Sequence, residues 1–158
     1  MTFYNTTTSS HSGFKAYEEE GRKKVVELLQ SLSFKHISAT IDEYDEIDLI
    51  AFSDKYKPLV VEVKSRNVKI DAYPDVLIEK YKYDNLMKFA ELGFMPFYIC
   101  TYLDGFIMIN LYNQKDLQVQ QLHLPSTTVD TSSLAYKECY FLTPSPKGII
   151  RNETVDID

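Results

Sequence analysis

The sequence predicts an α/β (α+β) domain: a mixed central sheet flanked by helices, in the core order α-β-β-β-α-β. Three features of the chain point there. An amphipathic helical stretch leads, short β-branched runs punctuated by turn residues follow, and a second helical stretch separates those runs from two more.

Residues 1–13 are rich in Thr and Ser and are expected to be loose, as chain termini commonly are. From Phe14 to Leu32 the pattern is helical, with Val25, Leu29 and Leu32 on one stripe and Val26 and Leu28 beside it. Residues 34–41 (FKHISATI) read as a first strand, followed by an acidic turn, DEYDE. Residues 47–52 (IDLIAF) read as a second strand and residues 59–65 (LVVEVKS) as a third, with strong β-branched content. After Pro74, Asp75 is placed to cap a helix running to Leu92, with Gly93 and Pro96 ending it. Two apolar strands, PFYICTY and FIMINLY, then meet through a Leu-Asp-Gly turn at residues 103–105. LQVQQLHL and AYKECYFL read as further strands separated by the loop PSTTVDTSS. The expected organisation is a loose start (1–13), a core (14–112), a β extension of the same domain (113–150) and a polar tail (151–158).

With 158 residues, 44% of them hydrophobic and 25% charged, the composition is that of one soluble domain with a real core. No stretch approaches the roughly 20 apolar residues of a membrane span, so no membrane association is expected. The start shows no apolar signal segment, and Cys100 and Cys139 lie too far apart for a paired metal motif. A reducing, cytoplasmic setting follows as the expectation. The net charge of -6 and a pI near 5.1 argue against a protein that holds nucleic acid by bulk positive charge. They leave room for a nucleic-acid enzyme, because carboxylates gathered at a metal site lower the pI.

The third strand carries the chemistry. Side chains alternate across a strand, so Val60, Glu62 and Lys64 share one face while Val61, Val63 and Ser65 share the other. Three valines mark it as a central strand, where a carboxylate and an ammonium are expensive unless paired or metal-bound. A short turn brings the strand carrying Asp48 alongside, so that Asp48 can approach Glu62. Two converging carboxylates make a hard-oxygen site suited to Mg²⁺ or Mn²⁺, with the Val63 carbonyl as a further candidate ligand. Lys64 would orient or deprotonate a water and stabilise developing charge. The bland alternative is a surface Asp with a Glu–Lys pair on an edge strand.

Asp48, then Leu49-Ile50-Ala51, then Val61-Glu62-Val63-Lys64-Ser65 together resemble the PD-(D/E)xK nuclease signature. Within that superfamily the runs DLIAF, LVVEVKSR, KYDNLMKFAELGF and PFYICTYLDGFIMINL are similar to small Holliday-junction resolvases of archaea and phages. The resemblance covers residues 14–112. It implies a restriction-endonuclease-like core and a Mg²⁺- or Mn²⁺-dependent DNA endonuclease, homodimeric, leaving 5′-phosphate and 3′-hydroxyl ends. It also implies a glutamate from the first helix, where residues 18–20 are all Glu. At about 100° per residue Glu18 shares the face of Val25 and Leu29, whereas Glu20 points nearly opposite, so Glu18 is preferred and Glu20 held in reserve. All three glutamates could instead complement the helix dipole.

Lys82 shares a sector with Leu86, Phe89 and Ala90 and could reach a substrate phosphate or snorkel to solvent. Arg66 shares the face of Lys64 and is the second candidate for phosphate. The three histidines show no metal-ligand spacing. Ser38 and Thr40 lie near the place where resolvases carry a hydroxyl, but their spacing differs and the role is not carried over. Two rivals stand beside the resolvase-like reading: a restriction- or repair-type nuclease on linear or single-stranded DNA, and a non-catalytic binding or structural protein on the same fold, as in a phage particle.

Overall fold

The computed structural model describes residues 3–5, 13–40, 45–125 and 134–152. The first strand, β1 (Phe3–Asn5), precedes helix α1 (Gly13–Ser31), and β2 (His36–Thr40), β3 (Leu49–Phe52) and β4 (Leu59–Ser65) follow. Then come β5 (Val76–Glu79), α2 (Lys80–Ala90), β6 (Met95–Tyr102) and β7 (Gly105–Asn110). The chain ends with β8 (Gln120–Pro125), β9 (Leu134–Leu142) and β10 (Ile149–Arg151). The core order α-β-β-β-α-β is there, with one extra strand, β5, ahead of α2.

A seven-stranded sheet runs β1-β2-β3-β4-β6-β7-β10. Its neighbours are antiparallel except β4 and β6, which run parallel from Leu59↔Met95 to Ser65↔Thr101. A parallel pair needs a crossover, and α2 lies in it. Helix α1 covers one face, burying Val25 and Leu29 against Leu49, Val61 and Ile99. Leu86 of α2 packs on the other, against Val60, Tyr98, Ile107 and Ile109. The sheet is thus mixed and flanked by helices on both faces, and its central strands are apolar on both sides for that reason. A separate three-stranded sheet, β5-β9-β8, stands beside α2.

Both helices end alike. Phe34 N–H donates to the Leu29 carbonyl and Ser33 N–H to that of Gln30, with Ser33 at φ 76°. Phe94 and Gly93 repeat the pattern on Phe89 and Ala90, with Gly93 at φ 96° and the Phe89 and Phe94 rings 6.3 Å apart. These are Schellman ends, each sealing two carbonyls that the helix leaves unpaired.

Several expectations change. Helix α1 stops at Ser31, and the left-handed turn at Ser33 swings Leu32 out to 38% exposure, off the predicted stripe. Asp75 caps no helix: residues 76–79 form β5, because β9 offers them a pairing partner from Val76↔Leu142 to Glu79↔Cys139. Phe3–Asn5, inside the stretch expected to be loose, pairs with β2. Ile149–Arg151 pairs with β7 and closes that edge. Gly105, read as a turn glycine, has a second reason to lack a side chain, since a Cβ there would collide with the backbone carbonyl of Ile150. The loop at residues 126–133 and residues 153–158 of the expected tail lie outside the described residues. No helix among the described residues is long and apolar enough to cross a membrane.

Candidate active site

Strand β4 is central, between β3 and β6, so the edge-strand alternative for Glu62 and Lys64 does not apply. Val60 joins the α2-side core and Val61 and Val63 the α1 side, which puts Glu62 and Lys64 on the α2 face. Glu62 is 7% exposed.

The ladder between β3 and β4 pairs Leu49 with Val61, so Asp48 reaches β4 at its Glu62–Val63 step. Its backbone is fixed on both sides: Asp48 N–H donates to Val61 (3.0 Å), and its carbonyl accepts from Thr40 N–H (2.9 Å). The Thr40 hydroxyl donates to the carbonyl of buried Ile47 at 2.7 Å, anchoring the preceding residue. Asp48 Oδ2 then accepts the Val63 N–H at 2.8 Å. The carboxylate therefore completes the strand ladder and sits beside Glu62 in one gesture of the chain. The contact made with the Val63 backbone runs through its N–H.

Glu62 Oε1 lies 2.7 Å from Lys82 Nζ. Burial, then the charge of Asp48, pushes the Glu62 carboxyl up to about 8, while the Lys82 ammonium works the other way. Burial would lower Lys82, but the attraction of Glu62 outweighs it and raises the ammonium. Across this contact the Lys82 ammonium stays charged. Lys64, farther along β4, is lowered by burial first and then by the nearby charges of Lys82 and Arg66, with Glu79 and Glu62 opposing. Among the described residues Lys64 makes no ion pair within 4.0 Å, unlike Lys82.

Arg66 turns toward β5: its Nη2 donates to the Leu77 carbonyl at 2.9 Å, a carbonyl that also accepts from Tyr98 Oη at 3.1 Å. The guanidinium thus ties the end of β4 to β5. Glu18 and Glu20 do not come together with Asp48 and Glu62. Helix α1 crosses the opposite face of the sheet, where Gly21 rests on Ser65, and no third His, Cys, Asp or Glu among the described residues joins the pair.

Glu79 was missed in the sequence because it was read inside a helix. It closes β5, pairs with Lys137 of β9 at 2.8 Å and is held low by that bond and by Lys82 against the effect of its burial. Glu79, Tyr81, Tyr136 and Lys137 line an open cleft of about 420 Å³ beside α2.

A buried carboxylate, Glu62, beside a half-buried one, Asp48, suits a hard divalent cation, which commonly keeps several waters and takes one or two protein carboxylates. The donor set of Asp48 and Glu62 therefore fits Mg²⁺ or Mn²⁺, and the strain of like charges there is what such an ion relieves.

No family model matches the sequence, and no curated protein matches it. Among solved structures the chain is similar to Hjc of Archaeoglobus fulgidus, a Holliday junction resolvase from an archaeal hyperthermophile. The identity is 11% and the TM-score 0.49, over 76% of this chain and 80% of that one. A likeness of that size bears on neither activity nor residue roles.

Proposed function

We propose that this protein is a divalent-metal-dependent DNA endonuclease of the PD-(D/E)xK kind, acting on branched DNA as a resolvase-like homodimer. The observation that carries the reading is the meeting of Asp48 and Glu62 on a central strand pair, with Lys64 next on the same face.

Asp48 and Glu62 would hold Mg²⁺ or Mn²⁺, with the Val63 carbonyl as a third protein ligand. The bound ion would supply a water of lowered pKa and neutralise charge on the phosphate. Lys64 would do the rest from β4. Its ammonium, lowered by burial, would pass a proton more readily than a free lysine and hydrogen-bond a non-bridging oxygen as negative charge builds there. Hydroxide from water adds to phosphorus, the bond to the 3′-oxygen breaks, and that oxygen takes a proton. The products are a 5′-phosphate and a 3′-hydroxyl. Lys82 and the unused donors of Arg66 would flank the strand as it enters. Asp48, fixed through four hydrogen bonds at itself and its neighbours, gives the site its rigidity.

The net charge of -6 favours a second reading, a non-catalytic binding module on the same fold. One assay separates them: incubation with four-way junction, linear duplex and single-stranded DNA, with Mg²⁺, Mn²⁺ or EDTA, beside Lys64→Ala. Metal-dependent, symmetric cutting of the junction that the variant loses supports the resolvase-like reading. Cutting of linear or single-stranded DNA alone moves the reading to a restriction- or repair-type nuclease. No cutting by folded, metal-supplied protein leaves the binding module.

A further inference from the structure

We propose that Lys82 is a tethered counterion: it neutralises Glu62 while no metal is bound, then transfers to a substrate phosphate oxygen when a divalent cation takes over Glu62. This rests on the reading of Asp48 and Glu62 as metal ligands, and it adds a positioning residue on α2 to a site otherwise built on the sheet.

The geometry is specific. The Glu62 side chain is only 9% exposed, and its Oε1 has the Lys82 ammonium 2.7 Å away. A buried carboxylate beside a second carboxylate needs a cation, and Lys82 supplies one from within the chain. In the unloaded site the Lys82 ammonium is the cation in direct contact with Glu62, beside Asp48. A dication adds two positive charges at the same carboxylates, so the ammonium on Glu62 then faces a stronger competitor and a like charge.

Lys82 can leave. Its side chain is 28% exposed, and the flexible four-carbon stem keeps the ammonium mobile. Two other lysines near α2 are held elsewhere, Lys80 by Asp84 at 2.7 Å and Lys137 by Glu79 at 2.8 Å. The released ammonium stands at the mouth of the site, where a phosphodiester is the anion able to accept it. Metal and DNA must then bind cooperatively, each strengthening the other by the same factor.

The test is Mn²⁺ binding by calorimetry, without DNA, to wild type and Lys82→Met, with circular dichroism on both. Lys82→Met is expected to bind Mn²⁺ roughly tenfold more tightly, because the competing ammonium is gone. In Ca²⁺, the same variant is expected to bind DNA more weakly and to lose the coupling between ion and DNA. Unchanged or weaker Mn²⁺ binding by folded Lys82→Met overturns the inference. A wild-type experiment covers the case in which the variant does not fold. Acylation of Lys82 by an amine-reactive ester, read by mass spectrometry, should rise on adding Mn²⁺ and fall again on adding DNA. A Lys82 indifferent to Mn²⁺ overturns the inference while leaving the nuclease reading intact, provided Mn²⁺ binds and Asp48→Asn removes that binding. Wild type that binds no Mn²⁺ overturns both.

Discussion

Glu62 sits where burial and a neighbouring carboxylate both oppose its ionisation, and its proton leaves only near pH 8 rather than near the ordinary 4.5. A carboxyl raised on folding stabilises the native state fully below its unfolded value and loses that contribution as pH rises through its folded value. Thermal stability is therefore expected to fall between about pH 4.5 and pH 8, and the fall should flatten in Glu62→Gln. Scanning calorimetry across that range checks it; an unchanged slope in the variant would reject the assignment. At pH 8.5, Mn²⁺ should restore melting temperature in wild type and not in Asp48→Asn. On the proposed function, cleavage should drop at least about 100-fold in Lys64→Ala with folding retained, since the variant removes the group proposed to transfer the proton. Full activity in that variant would discard the role. At this scale the sequence was informative about Asp48, Glu62 and Lys64 because their spacing and strand parity are local properties. Their partners were not: the same lysine that could have snorkelled to water finds Glu62, and only the packing of α2 on β4 decides that.

Helix α1 rests on β4 at Gly21, where a methyl group would collide with the Ser65 hydroxyl. Gly21→Ala should destabilise by about 1–3 kcal/mol, the usual range for overpacking a filled interface. Ser65→Gly should relieve most of that loss when combined with it, so a double-mutant cycle by denaturant titration measures the contact. Additive effects would mean the helix shifts rather than strains. The element most misread was β5. VLIEKYKYDNLMKF carries a helical period from Val76 onward behind a capping-type Asp75, and nothing local forbids one long helix. What overrides it is β9, some sixty residues later, whose backbone offers Val76–Glu79 a ladder. The short strands β1 and β10 escaped for the same reason, since three residues have too little pattern of their own. The long strands β4, β6 and β7 were legible because a buried sheet position leaves its own apolar signature in each.

For the molecule as a whole, a net charge of -6 means that, on the proposed function, DNA would be met through a local field rather than a general one. A homodimer is expected at working concentrations, with two sites to cut symmetry-related strands. Sedimentation equilibrium gives the mass, and a purely monomeric protein would remove paired cutting from the reading. The topology adds a consequence of another kind. The chain leaves the main sheet at Asn110, builds β8 and β9 against β5, and returns as β10 with Ile149 beside Ile107. Exit and re-entry are neighbours on one strand. A segment held in this way can be lengthened or shortened without shifting the register of β3, β4 or β6. The excursion of β8 and β9 is thus where an insertion or deletion would least disturb the strands bearing Asp48, Glu62 and Lys64.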